Sequence, residues 1–275
     1  MQSAGFQTRP ARSWPWRGPR LWGPQPEFRE LLPQPLQPYC ASLKGRRRTP
    51  TAADRQQRDP KVLFHVKHSG SFTSEDFRSQ ANVSRETFDR LVLFEQNLRK
   101  WNEKVNLVSR ASLEDVWKRH FLDSAQVFGL LGQNLSPLLD LGSGAGFPGL
   151  VLSIMGVEEV HLVESDQRKA AFLAETATLC GSNAVIHACR IEALEGINPG
   201  VMTARALAPM GRLMELAYPH FGARTTGIFL KGQNVGSELT EAYKIWKMRV
   251  DRVPSRSDPS GTLVVVREVS RVEPD

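Results

Sequence analysis

The chain has 275 residues, 40% hydrophobic and 24% charged, enough for one sizeable core with a small additional domain. No apolar run approaches ~18 residues, which excludes a membrane-spanning helix. Three cysteines, Cys40, Cys180 and Cys189, fit neither a metal-ligand nor a disulfide spacing, so no metal is expected and a reducing, cytoplasmic setting is. The formal charge of +7 suggests nucleic acid, but ten arginines and one lysine against four acids in residues 1–60 account for all of it. The rest of the chain is neutral, so a basic surface there must be a local patch.

Residues 1–60 hold ten of the 18 prolines, with Trp14, Trp16 and Trp22, and show neither a helical nor a strand period. They read as a disordered Pro/Arg-rich extension. Three origins fit: an organellar transit peptide, an RNA-binding arm, or a gene model that starts too early. The last is preferred. Phe64-His65-Val66-Lys67-His68 and Val83-Ser84-Arg85-Glu86-Thr87 can both be encoded by one palindrome, TTTCACGTGAAAC, read in two frames and similar to the site bound by bacterial chromosome-partition proteins. If the gene carries such sites near its start, the expected true start lies near Val62 or Leu63.

Residues 61–135 read as an N-terminal helical cap. Phe88, Leu91, Val92, Phe94, Leu98 and Trp101 recur at helical spacing behind Ser84, a plausible N-cap. Ser112-Leu113-Glu114-Asp115 resembles a capping box and predicts a second helix to about His120, with a third from Phe121 to about Leu130. Trp101 is expected to anchor the core under the cap.

Residues 136–275 alternate strands and helices. Strands are expected over 138–141, 160–164, 184–188, 201–206 and 226–231. Helices are expected over about 147–156, 166–180, 210–217 and 237–245, and two late strands lie near 247–252 and 262–267. The alternation predicts an α/β fold, a doubly wound, mostly parallel seven-stranded sheet. The last two strands lack a helix between them and would pair antiparallel, an ending usual in S-adenosylmethionine (SAM) methyltransferases and not in dehydrogenases.

The run Leu138-Leu139-Asp140-Leu141-Gly142-Ser143-Gly144-Ala145-Gly146-Phe147-Pro148-Gly149 is a strand, a tight turn and a helix start. That arrangement holds an adenosine cofactor at the end of a parallel strand. It reads in two frames. Gly144, Gly146 and Gly149 give the dinucleotide fingerprint; Asp140, Gly142, Gly144 and Gly146 give the SAM pattern. Glu164, ending the next strand, suits ribose hydroxyls in either. Asp140 favours SAM, because a carboxylate sits poorly beside a pyrophosphate and well beside a sulfonium and an ammonium.

Trp101-Asn102-x-x-x-Asn106-Leu107, Arg119-His120-x-x-Asp123-Ser124, the Asp140–Gly149 loop, Arg205-Ala206 and Lys231-Gly232 occur in this order. Together they resemble the bacterial RsmG (GidB) methyltransferases over roughly residues 75–267. The resemblance implies a class I SAM-dependent methyltransferase fold and methylation of N7 of one guanine in 16S (small-subunit) ribosomal RNA. It implies cofactor contacts at Gly142, Phe147, the Ile191-Glu192 pair and Arg205. Phe147 stands where the family often has Leu.

Guanine N7 carries a lone pair and no proton, so in-line displacement on a sulfonium methyl needs no acid or base; positioning and electrostatics must suffice. Arg205, Lys231 and His120 are the candidate positioning residues. Arg205 could hold the SAM carboxylate or a target phosphate, and its plain alternative is a structural ion pair. Arg119, His120, Arg168, Lys169 and Lys231 are candidate RNA contacts, with a solvated lysine the alternative at Lys231 and a surface charge pair at Arg168 and Lys169. A monomer is expected. Two other classes compete: a non-catalytic RNA-binding protein on the same fold, and an NAD-linked oxidoreductase.

Overall fold

The computed structural model describes residues 72–132 and 137–273. The expectations for residues 1–60 and for the peptide around Phe64 lie outside the described residues.

The cap begins with α1 (Ser74–Ala81), opened by a reciprocal capping box in which the Thr73 hydroxyl accepts the Asp76 N–H at 3.2 Å and the Asp76 carboxylate accepts the Thr73 N–H at 2.8 Å. Next is α2 (Arg85–Asn102), capped by Ser84 as its sequence predicts. It buries Phe88, Leu91, Phe94 and Leu98 along one face. Trp101 is half-buried; its indole N–H donates to Glu175 at 3.0 Å and its ring meets Phe172 edge-on.

The next stretch departs from its prediction. The N-cap is Ser109, whose hydroxyl accepts the Ser112 N–H at 3.2 Å, and α3 spans only Arg110–Glu114. Ser112 lies inside that helix and donates its own hydroxyl to the Ser109 carbonyl. After Asp115, at φ −111° and ψ 40°, the chain enters a π-helical turn (Trp117–Leu122), a short α4 (Asp123–Ala125) and a 3-10 turn (Gln126–Leu130). The single helix expected from Phe121 is therefore a composite of three helix types.

The sheet domain runs β1 (Leu138–Leu141), α5 (Gly149–Ile154), β2 (Val160–Val163), α6 (Gln167–Leu179), β3 (Val185–His187), β4 (Val201–Arg205), α7 (Met210–Ala217), β5 (Thr226–Lys231), α8 (Val235–Ala242), β6 (Trp246–Pro254) and β7 (Thr262–Arg271). The strand order is β3-β2-β1-β4-β5-β7-β6. The first five strands are parallel, and β7 runs antiparallel between β5 and β6. This is the doubly wound seven-stranded sheet that the alternation of elements predicts.

Every residue of β1 is buried, as a central parallel strand covered on both faces requires. One face packs on α7 and α8 through Met210, Leu213, Met214 and Leu239. The other packs on α5, α6 and the cap in one continuous cluster. Phe94 of α2 joins them, stacking on Phe147 at 5.1 Å and tilting against Phe172 at 6.2 Å. Replacing so buried a ring by Ala costs about 3–5 kcal/mol, so the cap is held firmly over the strand ends. β1 lies between β2 and β4, where the winding reverses and a crevice opens at the carboxyl ends of the strands.

Candidate active site

The glycine loop leaves β1 at that crevice. Gly142 has φ +64°, and a Cβ there would lie 2.6 Å from Leu207 Cδ1, so both the conformation and the close approach require glycine. Gly144 faces open space, with only the Gly142 carbonyl within reach at 3.8 Å. A Cβ at Gly146 would meet Leu150, Leu173 and Phe94, so this glycine serves the cap packing.

Two carboxylates hold the loop. Glu164, buried just beyond β2, accepts the Gly144 N–H at 2.9 Å and the Asp166 N–H at 2.8 Å. It thereby ties the loop to the start of α6. Asp140 is fully buried; it accepts the Thr203 hydroxyl at 2.6 Å and the Gly149 N–H at 3.3 Å. Burial pushes its carboxyl up to about 6, against the opposing hydrogen bonds from Thr203, Ser143 and Gly149. Asp140 is in the wall of neither cavity found at the strand ends. The expectation that its charge faces the cofactor gives way to a bracing role: it pins the start of α5 to β1.

Around the loop lies a cavity of about 490 Å³. It brings together Gly142, Gly144, Phe147, Glu164, Ile191, Glu192 and Arg205. Ile191 and Glu192 sit on a 3-10 turn beyond β3, with Glu192 paired to Arg212 at 3.1 Å. Gly146 and Asp140 stand behind the wall. Lys169, expected to reach RNA, also lines this cavity. Arg168 lines neither cavity; it is exposed and pairs with Asp166, the N-cap of α6, at 3.2 Å. The sequence singled out neither Leu207 nor Cys189 for this site, and both face this space.

A second cavity, of about 670 Å³, lies under the cap. The two share three wall residues, Leu107, Arg205 and Ala206. Arg205 is held on every side: Nη1 donates to the Arg119 carbonyl at 3.1 Å and lies 3.5 Å from the Asp123 carboxylate, and the guanidinium sits 5.0 Å over the Phe147 ring. Asp123 in turn accepts the Ser257 hydroxyl at 2.6 Å and the Gln126 amide at 2.8 Å, joining the cap to the β6–β7 loop. Next in the wall, Ala206 has φ +52°, a left-handed conformation costly for a residue with a Cβ.

His120 belongs to the π-helical turn and is 8% exposed. Its ring stacks on Phe147 at 5.0 Å, and neither ring nitrogen has a hydrogen-bond partner among the described residues. Burial, then the Arg205 and Arg119 charges, lowers its pKa to about 3, so the imidazole is neutral. Arg119 and Lys118 stand at the rim of this cavity, Arg119 exposed.

Lys231 needs correction. It lines the same cavity, but its ammonium donates to the Ala208 carbonyl at 2.8 Å and pairs with Glu238. Glu238 also accepts the Met210 N–H at 2.9 Å. Lys231 therefore braces the start of α7 and is neither a free phosphate ligand nor a solvated lysine. Among the described residues there is no cluster of His, Cys, Asp or Glu that could hold a metal ion, and no helix is long and apolar enough to cross a membrane.

A doubly wound sheet ending in an antiparallel pair, a glycine cradle open at Gly144 and an acid after β2 fit an adenosine cofactor. This is a SAM-dependent methyltransferase. The model of the GidB family, rRNA small subunit methyltransferase G, matches residues 87–261, and the chain belongs to that family. It is 52% identical over 199 residues to the Ribosomal RNA small subunit methyltransferase G of Rhodospirillum rubrum, covering 72% of this chain and 99% of the relative. The protein of the same name from Rhodospirillum centenum is 52% identical over 200 residues, 73% of this chain and 93% of the relative. That from Granulibacter bethesdensis is 47% identical over 213 residues, 76% and 100%.

Proposed function

We propose that this protein transfers the methyl group of SAM to N7 of one guanine in 16S ribosomal RNA. The carrying observation is the pair of cavities that meet at Leu107, Arg205 and Ala206, one suited to the cofactor and one open under the cap. SAM supplies an electrophilic methyl when bound, and guanine N7 brings its own lone pair, so no residue need move a proton.

The chain's work is then to orient and to shape the field. Gly142, Gly144, Glu164 and the Ile191-Glu192 turn form the cradle for the nucleoside, with Phe147 as its apolar floor. Arg205 and Asp123 are a paired unit, so the shared wall carries no net charge towards a reaction that moves positive charge from sulfur to the base. A neutral His120 withholds a proton that would compete for the N7 lone pair. Arg119 and Lys118 at the rim suit RNA phosphates, which position without reading sequence. The reading goes with a monomer working in the cytoplasm.

The test is transfer of a labelled methyl from SAM to small-subunit ribosomal RNA, naked and as assembled particles, followed by mapping of the modified atom. Label at guanine N7 of a single position is the expected result. Label elsewhere, or SAM binding without transfer to either substrate, would overturn it.

A further inference from the structure

The described residues contain four buried side-chain polar atoms without a hydrogen-bond partner: Asp115 Oδ1, His120 Nδ1, His120 Nε2 and Trp246 Nε1. Three of the four belong to residues lining the cap cavity. A buried polar atom left unpaired costs about 1–3 kcal/mol, so their concentration at one cavity indicates a polar ligand that completes them.

Asp115 caps the end of α3, and His120 follows five residues later on the π-helical turn. Asp115 lies at a break in the helical backbone, φ −111° and ψ 40°, between α3 and the π turn that carries His120. Both line the cavity.

We propose that Asp115 selects guanine, its carboxylate accepting the N1–H and N2–H groups of the acceptor base; this rests on the guanine-N7 reading above. A carboxylate offers acceptors only. Guanine is the base that sets two donors side by side on its Watson–Crick edge. Adenine and cytosine set a ring-nitrogen lone pair there, which a carboxylate repels, and uracil offers one N–H. A base drawn out of its stack into a pocket is read along this edge.

His120 completes the assignment. As a neutral imidazole it has one N–H to give, and guanine O6 is the acceptor between N1 and N7. His120 also stacks on Phe147, which lines the cofactor cavity, and adjoins the Arg205 wall common to both. On this assignment Asp115 serves N1 and N2, His120 serves O6, and N7 is left to face the wall shared with the cofactor cavity.

The experiment compares small-subunit ribosomal RNA carrying guanine or inosine at the target position, using the full chain and Asp115→Asn. Inosine keeps N7, O6 and N1–H and lacks only the N2 amino group. Wild-type kcat/KM is expected to fall on the order of tenfold with inosine, the scale of losing half of a good bidentate base contact. Asp115→Asn is expected to lose tenfold to a hundredfold on guanine. It should discriminate little between the two bases, with SAM affinity by calorimetry unchanged. Equal wild-type rates on guanine and inosine would overturn the assignment, and that measurement needs no variant to fold. Asp115→Asn with wild-type kcat/KM and discrimination would overturn it too. Wild-type methylation at an atom other than N7 would instead overturn the guanine-N7 reading itself.

Discussion

The two cavities on either side of Arg205 are made in different ways. The smaller is shaped by backbone: a glycine loop, the ends of β1, β2 and β4, and a 3-10 turn, all close in the fold's own winding. The larger is shaped by side chains from four segments, the stretch from Leu107 to Asp115, the π-helical turn, the end of β5 and the β6–β7 loop. The difference teaches which errors each can absorb. A backbone cradle fails when a side chain is added where none fits, and a side-chain pocket fails when one partner of a long-range pair is removed.

The largest effect should come from adding bulk to the cradle. Gly142→Val puts a β-branched residue at φ +64° with Leu207 already 2.6 Å from its Cβ. Strain and overpacking cost about 1–3 kcal/mol each, so SAM binding by calorimetry and methyl transfer should both fall by about a hundredfold or more. Wild-type SAM affinity in this variant would remove the cradle from the smaller cavity.

Arg205→Ala strikes the wall between them. It strips the guanidinium from Asp123 and from the Phe147 face, both partners of the pair being mostly buried. About 2 kcal/mol of stability should be lost in denaturant melts, less than for a fully buried pair because some solvent reaches both groups. Transfer should fall more than tenfold. Unchanged transfer would make Arg205 a brace only.

His120 offers a smaller effect read through pH. Its folded pKa is lowered from 6.5 to about 3, so between those values the unfolded chain binds a proton that the folded chain does not. Stability from this group is complete above 6.5 and is lost as the pH falls towards 3. Between pH 6.5 and about pH 5 the loss is about 2 kcal/mol. His120→Phe should flatten that part of the stability curve, and an unaltered slope would contradict a buried neutral ring.

The smallest effects separate rim from surface. Arg119→Ala should raise the KM for RNA a few-fold and lower the salt slope of binding by about 1. Arg168→Ala, whose guanidinium sits on the α6 cap away from both cavities, should change neither. If the two variants behave alike, the rim of the larger cavity is not where the RNA backbone lies.

The smaller cavity was largely legible in the sequence, and the larger was not. Strand, glycine turn and acid follow one another within about thirty residues, and their meaning is local. Even there, Asp140 misled. A carboxylate before the glycines is visible in sequence, but its burial against Thr203, 63 residues away, is not. Ser112 and Ser109 are chemically equal caps, and only the backbone turn decides between them. The break in the helix at Asp115 has no signature in sequence, so Asp115 passed as part of a capping box. Lys231 looked free because Glu238 is seven residues on across a turn, and Asp123 meets Ser257 across 134 residues. Conversely, strands β1 and β5 and helix α7 match their predicted bounds, because burial and period mark them within their own length.

Ala206 carries a consequence for anyone seeking a hardier version of this enzyme. Its left-handed backbone gives up about 1–2 kcal/mol of folding stability at the partition between the cavities. Glycine would recover part of that, so selection for heat tolerance alone would favour it. The same change would loosen the backbone of the partition, and survivors of such a screen would gain melting temperature at a position where slack blurs the aim of a methyl group.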